Sequence, residues 1–130
     1  MLPTFVLLFS VTAHGQTWVL VDDGAWVPDT ATVEDVVRSV EIAFAQAAKE
    51  QREKVPPWGA YTIQYHGRIL NGERVVEVSG ACADLAESLR RDYDLKKVFV
   101  GIEDGGTCVF FAQYDARTKR LLLFYFNGVA

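Results

Sequence analysis

His66 is the residue of this sequence best suited to acid–base chemistry near neutral pH. A catalytic histidine needs an orienting carboxylate and a nucleophile within reach. Asp104 or Glu103 could supply the first across a sheet, and Ser79 the second. No motif places these residues together, and a lone histidine before a glycine is more often a surface or turn residue. The sequence therefore predicts no catalytic residue.

The stretch Asp104–Gly105–Gly106 resembles, at first sight, a phosphate or metal loop. A phosphate loop needs a following helix and a lysine, whereas a strand is predicted here. A calcium loop needs more oxygen ligands at fixed spacing, and a zinc site needs closely spaced Cys or His pairs. We expect a tight turn, with no metal and no cofactor.

Aromatic residues offer a second kind of chemistry, because Tyr and Trp give large contact areas at low entropy cost. The alternative is ordinary core and loop packing. We place a hypothetical protein-binding surface on Trp58, Tyr61, Tyr65 and the loop around Asp104.

Residues 1–15 have the pattern of a secretory signal peptide. No charged residue precedes Gln16, residues 2–11 are almost wholly apolar, and small residues around Ala13 fit a signal-peptidase site. No basic residue precedes the apolar run, and a buried first strand is the main alternative. The run is shorter than the ~20 residues of a membrane-spanning helix. We predict an exported protein, periplasmic or secreted, with one mature domain over residues 16–130.

The mature region contains two cysteines, Cys82 and Cys108. In an exported protein an even number of cysteines predicts a disulfide, and two buried free thiols are the alternative. The net charge is −4 and no basic stripe is present. These properties disfavour nucleic acids and anionic membrane surfaces as partners.

The elements follow from periodicity and turn residues. Apolar residues at helical spacing predict a long helix that begins at Thr32, with Asp35 completing a capping box, and runs to about Lys54. Alternation over residues 60–70, the turn Asn71–Gly72 and a partner strand over residues 74–79 predict a hairpin. A short strand over residues 18–21 precedes them. A short helix over residues 83–92 and three strands over residues 97–102, 107–114 and 120–126 complete the chain.

This order predicts an α+β domain in which one long helix packs on a curved antiparallel sheet. It resembles the cystatin-like or nuclear-transport-factor-2-like architecture, an analogy at the level of the fold that carries no function. The six residues from Leu121 to Phe126 are apolar on both faces of their strand. Either this is a central, covered strand, or its outer face meets a partner such as a second copy of the chain.

The C-terminal part has a recognisable pattern. Trp58, Tyr61, Tyr65 and Gly67 precede Asn71–Gly72, and further on stand Cys82, an Asp104–Gly105–Gly106–Thr107–Cys108 segment and an Asn127–Gly128–Val129–Ala130 tail. Over Trp58 to Ala130 the chain resembles small exported bacterial proteins of unknown function. The resemblance implies export and a Cys82–Cys108 pair, and it implies no catalytic residues.

The sequence thus predicts an exported, non-enzymatic binding module, of the inhibitor or immunity type, that acts on another protein. The alternative is a small-ligand-binding protein or an enzyme with a pocket between sheet and helix, in which His66 is the acid or base. A homodimer through Leu121 to Phe126 is a third hypothesis.

Overall fold

A computed structural model describes residues 10–13 and 16–127. Six strands form one sheet in chain order, and two helices pack on it. The elements are β1 (Ser10–Ala13), β2 (Gln16–Leu20), α1 (Thr30–Lys49), β3 (Tyr61–Leu70), β4 (Glu73–Cys82), α2 (Ala83–Asp92), β5 (Val109–Asp115) and β6 (Arg120–Phe126). Strands β2 and β3 are parallel and every other neighbouring pair is antiparallel. The predicted α+β class, with a long helix on a sheet, is confirmed.

Helix α1 begins earlier and ends earlier than the sequence predicts. Asp29 is the N-cap, because its carboxylate accepts a 2.8 Å hydrogen bond from the Thr32 amide. The predicted capping box of Thr32 and Asp35 is therefore wrong: both residues already lie inside the helix. The helix ends at Lys49. The chain beyond it is held to the turn before β5 by the Thr107 hydroxyl, which donates to the Lys54 carbonyl at 3.0 Å.

The apolar stripe of α1 packs on one side of the sheet, here called the first face. Val36, Val40 and Phe44 of the helix meet a core of strand residues that are all buried. These strand residues are Trp18, Leu20, Tyr61, Ile63, Tyr65, Val76, Val78, Phe110, Ala112 and Tyr114. Their alternation along each strand sends the intervening residues to the opposite side, the second face.

The β3–β4 hairpin is confirmed, with Asn71 and Gly72 both in the left-handed region at φ 52° and 79°. Near the same end of β3, Trp26 forms an isolated bridge to Gly67 and its indole N–H donates to the Arg68 carbonyl at 2.9 Å. A Cβ atom at Gly67 would lie 2.3 Å from the Trp26 carbonyl oxygen. Glycine is therefore required for this close approach.

The second face is covered over β3 and β4 by α2 and by the loop that follows it. The predicted strand over residues 97–102 is wrong: these residues form no strand, and β5 pairs directly with β4 with nothing between them. The loop instead crosses the second face, where Gln64 holds it. The Gln64 amide donates to the carbonyls of Leu95 (2.8 Å) and Val98 (2.7 Å) and accepts from the Val100 amide at 3.0 Å.

Strand β6 lies at one end of the sheet, so the expectation of a central, covered strand is wrong. Its first-face side chains Phe124 and Phe126 are packed against Phe44 of α1, with ring centroids 6.3 and 5.5 Å away. Leu122 forms a bulge opposite the Gln113–Tyr114 step of β5.

A disulfide joins Cys82, at the end of β4, to Cys108, just before β5. The two Cα atoms are 5.0 Å apart, within the range that disulfides span. The pairing of the two cysteines is therefore confirmed.

Part of the predicted signal peptide is strand in the structure, because Ser10–Ala13 form β1, antiparallel to β2. Residues 1–9 and 14–15 lie outside the described residues, and the signal peptide stays a prediction. Within the described residues no helix is long and apolar enough to cross a bilayer.

Candidate functional site

Strand register brings three polar residues into one row on the second face. His66 of β3 is paired with Glu77 of β4, and Glu77 is paired with Gln113 of β5. Residues directly opposite each other in antiparallel strands point to the same face, so their side chains are neighbours. The row runs from the covered part of the second face towards the free end of the sheet.

His66 is held between two carboxylates. Its side chain is 3% exposed, with Nδ1 2.7 Å from an Asp23 oxygen and Nε2 3.0 Å from a Glu77 oxygen. The ring stacks on Phe99 of the covering loop, with centroids 3.9 Å apart and planes 10° from parallel. The second Glu77 oxygen accepts from the Gln113 amide at 3.0 Å. The imidazole is thus fixed on both edges and on one face.

His66 and Glu77 shift each other's pKa in opposite directions. Burial disfavours the charged imidazole, but hydrogen bonds to Glu77 and Asp23 outweigh it and raise the pKa of His66 above its ordinary 6.5. The hydrogen bond from His66 lowers the pKa of Glu77 below 4.5, against the opposing effect of burial. Gln113 and the Arg68 guanidinium, 3.5 Å away, lower it further. Both shifts favour the ion pair between a charged His66 ring and the Glu77 carboxylate.

Both ring nitrogens of His66 are engaged by carboxylates, and the charged form that this arrangement favours has no lone pair to offer a substrate. His66 also points to the second face, away from α1, because its neighbour Tyr65 lies in the first-face core. The space between sheet and α1 is filled by that core. The predicted pocket between sheet and helix therefore does not contain His66.

Beyond Gln113 the second face becomes apolar. Phe111, Leu123 and Tyr125 form what we call the apolar face: Tyr125 is paired with Phe111, and Leu123 with Gln113. The rings of Phe111 and Tyr125 are 5.8 Å apart, and Leu123 and Tyr125 remain 37% and 49% exposed. Helix α2 packs on β3 and β4 and leaves this area open.

The residues singled out in the sequence are dispersed. Tyr61 and Tyr65 are buried in the first-face core, where burial raises the pKa of Tyr65 to about 12. Trp58 is half-buried and packs on Phe44 and on Trp18. Asp104 alone is exposed. Burial removes the two tyrosines from any surface that a partner could reach.

Glu103 is also exposed, and the buried Ser79 hydroxyl donates to the Val100 carbonyl at 3.4 Å, while both ring nitrogens of His66 meet other residues. The residues that do surround His66, namely Asp23, Glu77 and Phe99, were not singled out in the sequence. Glu77 has a sequence signal: it follows the Asn71–Gly72 turn at the distance that pairs it with His66. Asp23 and Phe99 come from loops, and no local pattern indicates their contact.

A separate groove of about 420 Å³ opens on the second face beside the end of α2. Val19 and Leu95 lie at its base, and Arg90 and Lys96 at its rim, with Tyr93 exposed beside them. The Arg90 guanidinium donates to the Thr62 hydroxyl at 3.1 Å. This volume lies within the range of small-molecule sites.

Comparisons with protein-family models, curated proteins and solved structures give no match to this chain. Across residues 10–13 and 16–127 no cluster of His, Cys, Asp or Glu has the arrangement of a metal site.

Proposed function

We propose that this chain is an exported, non-enzymatic binding module that acts on another protein through its apolar face. The observation that carries the proposal is the patch of exposed Leu123 and Tyr125 beside half-buried Phe111, on the part of the second face that α2 leaves uncovered. Exposed apolar side chains that adjoin one another on a rigid sheet are typical of protein contacts. An inhibitor or immunity-type protein is the class that we favour.

The rim of the apolar face supports specificity. Glu77 and Gln113 border it with fixed polar groups, because each is held by hydrogen bonds to its neighbours in the row. A preorganised polar rim around aromatic and aliphatic anchors lowers the entropy cost of binding. In this proposal His66 acts as a positioning residue that fixes Glu77.

We also propose that the protein is exported and has a cystatin-like or nuclear-transport-factor-2-like architecture. The Cys82–Cys108 disulfide is compatible with an oxidising compartment, either the periplasm or the extracellular medium. Removal of residues 1–15 would take β1 away and leave β2 at the edge of the sheet. The single long helix on the antiparallel ladder of β3 to β6 supports a cystatin-like or nuclear-transport-factor-2-like architecture.

A second candidate function rests on the groove beside α2. Its rim carries two cations, Arg90 and Lys96, against one carboxylate, Asp94, and with the exposed ring of Tyr93 this net positive rim suits a small anionic ligand with an apolar part. In this second candidate function the protein binds a small ligand, and the binding site is the groove beside α2, which does not include His66.

Affinity capture tests the main proposal. The chain is expressed from Met1 in an exporting host, purified oxidised, and used to capture proteins from envelope and culture-supernatant fractions. We expect one stoichiometric partner, lost with L123K because a lysine disrupts the apolar face. I42K is the matched control, since Ile42 is 67% exposed on the far side of α1. Equal capture by wild type, L123K and I42K would exclude the apolar face.

A further inference from the structure

Strand β6 presents a second surface, its free edge, which lies in the plane of the sheet and not on the apolar face. Within the described residues no strand pairs with its outer side. An unpaired edge is a template for another strand, and proteins usually guard it with charges or proline. Residues 121–126 contain no charged residue and no proline. The bulge at Leu122 is the one feature of β6 that would hinder pairing with another strand.

The two ends of β6 carry opposite charges. Arg120 begins the strand and is exposed. At the other end Asn127 donates to the carbonyls of Ile102 and Asp104, the latter at 3.5 Å, and so fixes the loop that carries Glu103 and Asp104 beside the strand's end. In the described part of the chain Arg120, Glu103 and Asp104 form no ion pair.

We propose that the partner of this edge is a second copy of the chain, paired antiparallel through β6. An antiparallel pair is related by a two-fold axis, so each contact occurs twice. Arg120 of each copy then lies beside the acidic loop of the other. Parallel pairing would instead bring the two arginines together. The opposite charges at the two ends therefore select one orientation and one occupant.

Such a pair joins the two sheets into one continuous sheet of twice the strand number. The apolar faces of both copies then lie side by side on the same surface, since neighbouring antiparallel strands share their faces. The edge is thus used for self-association, whereas the apolar face stays available to another protein. This inference goes beyond the proposed function and does not depend on it.

A charge-swap experiment tests the pairing. The full chain, exported and oxidised, is studied by sedimentation velocity as wild type, R120E, D104K and a mixture of the two variants. We expect the wild-type chain to form a dimer. In each single variant the dimer should be at least about tenfold weaker, because residue 120 of each copy then meets a like charge at residue 104 of the other, at both ends of the pair. In the mixture both contacts join opposite charges, so a heterodimer should form. Both positions are exposed, and circular dichroism verifies that each variant is folded.

The outcomes separate this inference from the proposed function. A wild-type chain that stays monomeric at high micromolar concentration overturns the dimer, and leaves capture through Leu123 untouched. A dimer that R120E does not weaken, or two variants that fail to associate on mixing, overturns antiparallel pairing through β6. Dimer formation together with capture that L123K does not change would overturn the proposed function alone.

Discussion

At the scale of single residues, the row of His66, Glu77 and Gln113 sets a pH dependence. The folded pKa of His66 lies above 6.5, so its contribution to stability is complete below 6.5 and is lost as the pH rises through the folded pKa. The folded pKa of Glu77 lies below 4.5, so its contribution is present above 4.5 and is lost as the pH falls through the folded pKa. The pair stabilises the fold most between these two limits.

We therefore expect the free energy of unfolding of the wild-type chain to fall as the pH rises from 6.5 through the folded pKa of His66. In H66Q this component should be absent, because the amide does not titrate. Urea denaturation of both proteins at pH 5.5 to 9 measures the difference, and NMR titration of the imidazole gives the pKa directly. An imidazole that titrates below 6.5 would contradict the assignment.

At the scale of the elements, Gly67 determines how the segment around Trp26 meets β3. The Arg74 guanidinium lies 5.2 Å from the centre of the Trp26 ring, so the indole is held between a cation and a bare strand backbone. The segment also carries Asp23, which lies beside His66.

We expect G67A to destabilise the protein by about 2 kcal/mol, because the added methyl group would overlap the Trp26 carbonyl and ring. G101A is the matched control: a Cβ atom there meets nothing within 4 Å. Chemical denaturation measures both variants. Equal stability of G67A and G101A would show that the Trp26 segment can move to accommodate the methyl group without a loss of stability.

Local patterns could predict several elements but not the contacts between them. Alternation and the Asn71–Gly72 turn specify the β3–β4 hairpin, and the range of α2 agrees with the predicted 83–92. Residues 97–102 have the apolar composition of a strand, yet Gln64 holds them as a covering loop. The predicted N-cap lies three residues too late because Asp29 and Thr32 are both favourable caps. The contact of Asp23 with His66 joins distant segments, and no local pattern encodes it.

At the scale of the whole molecule, the disulfide ties the end of β4 to the beginning of β5 across the turn of α2 and its loop. In the chain-entropy model a loop of 26 residues contributes about 3 kcal/mol, by restricting the unfolded chain. We expect the double variant C82S/C108S to lose about this much of the free energy of unfolding. Urea denaturation measures this loss, and the reduced wild-type protein should be destabilised by a similar amount. An unchanged midpoint would contradict the expectation.

The parallel pairing of β2 with β3 has a consequence for the order of folding. Thr17 is paired with Thr62, and the whole of α1 lies between them in the chain. Loop closure over that distance is slow, whereas β3 and β4 are joined by a two-residue turn. The hairpin should therefore form before the rate-limiting barrier and β2 should dock after it. Substitutions in β2 would then accelerate unfolding, and substitutions in the hairpin would slow refolding.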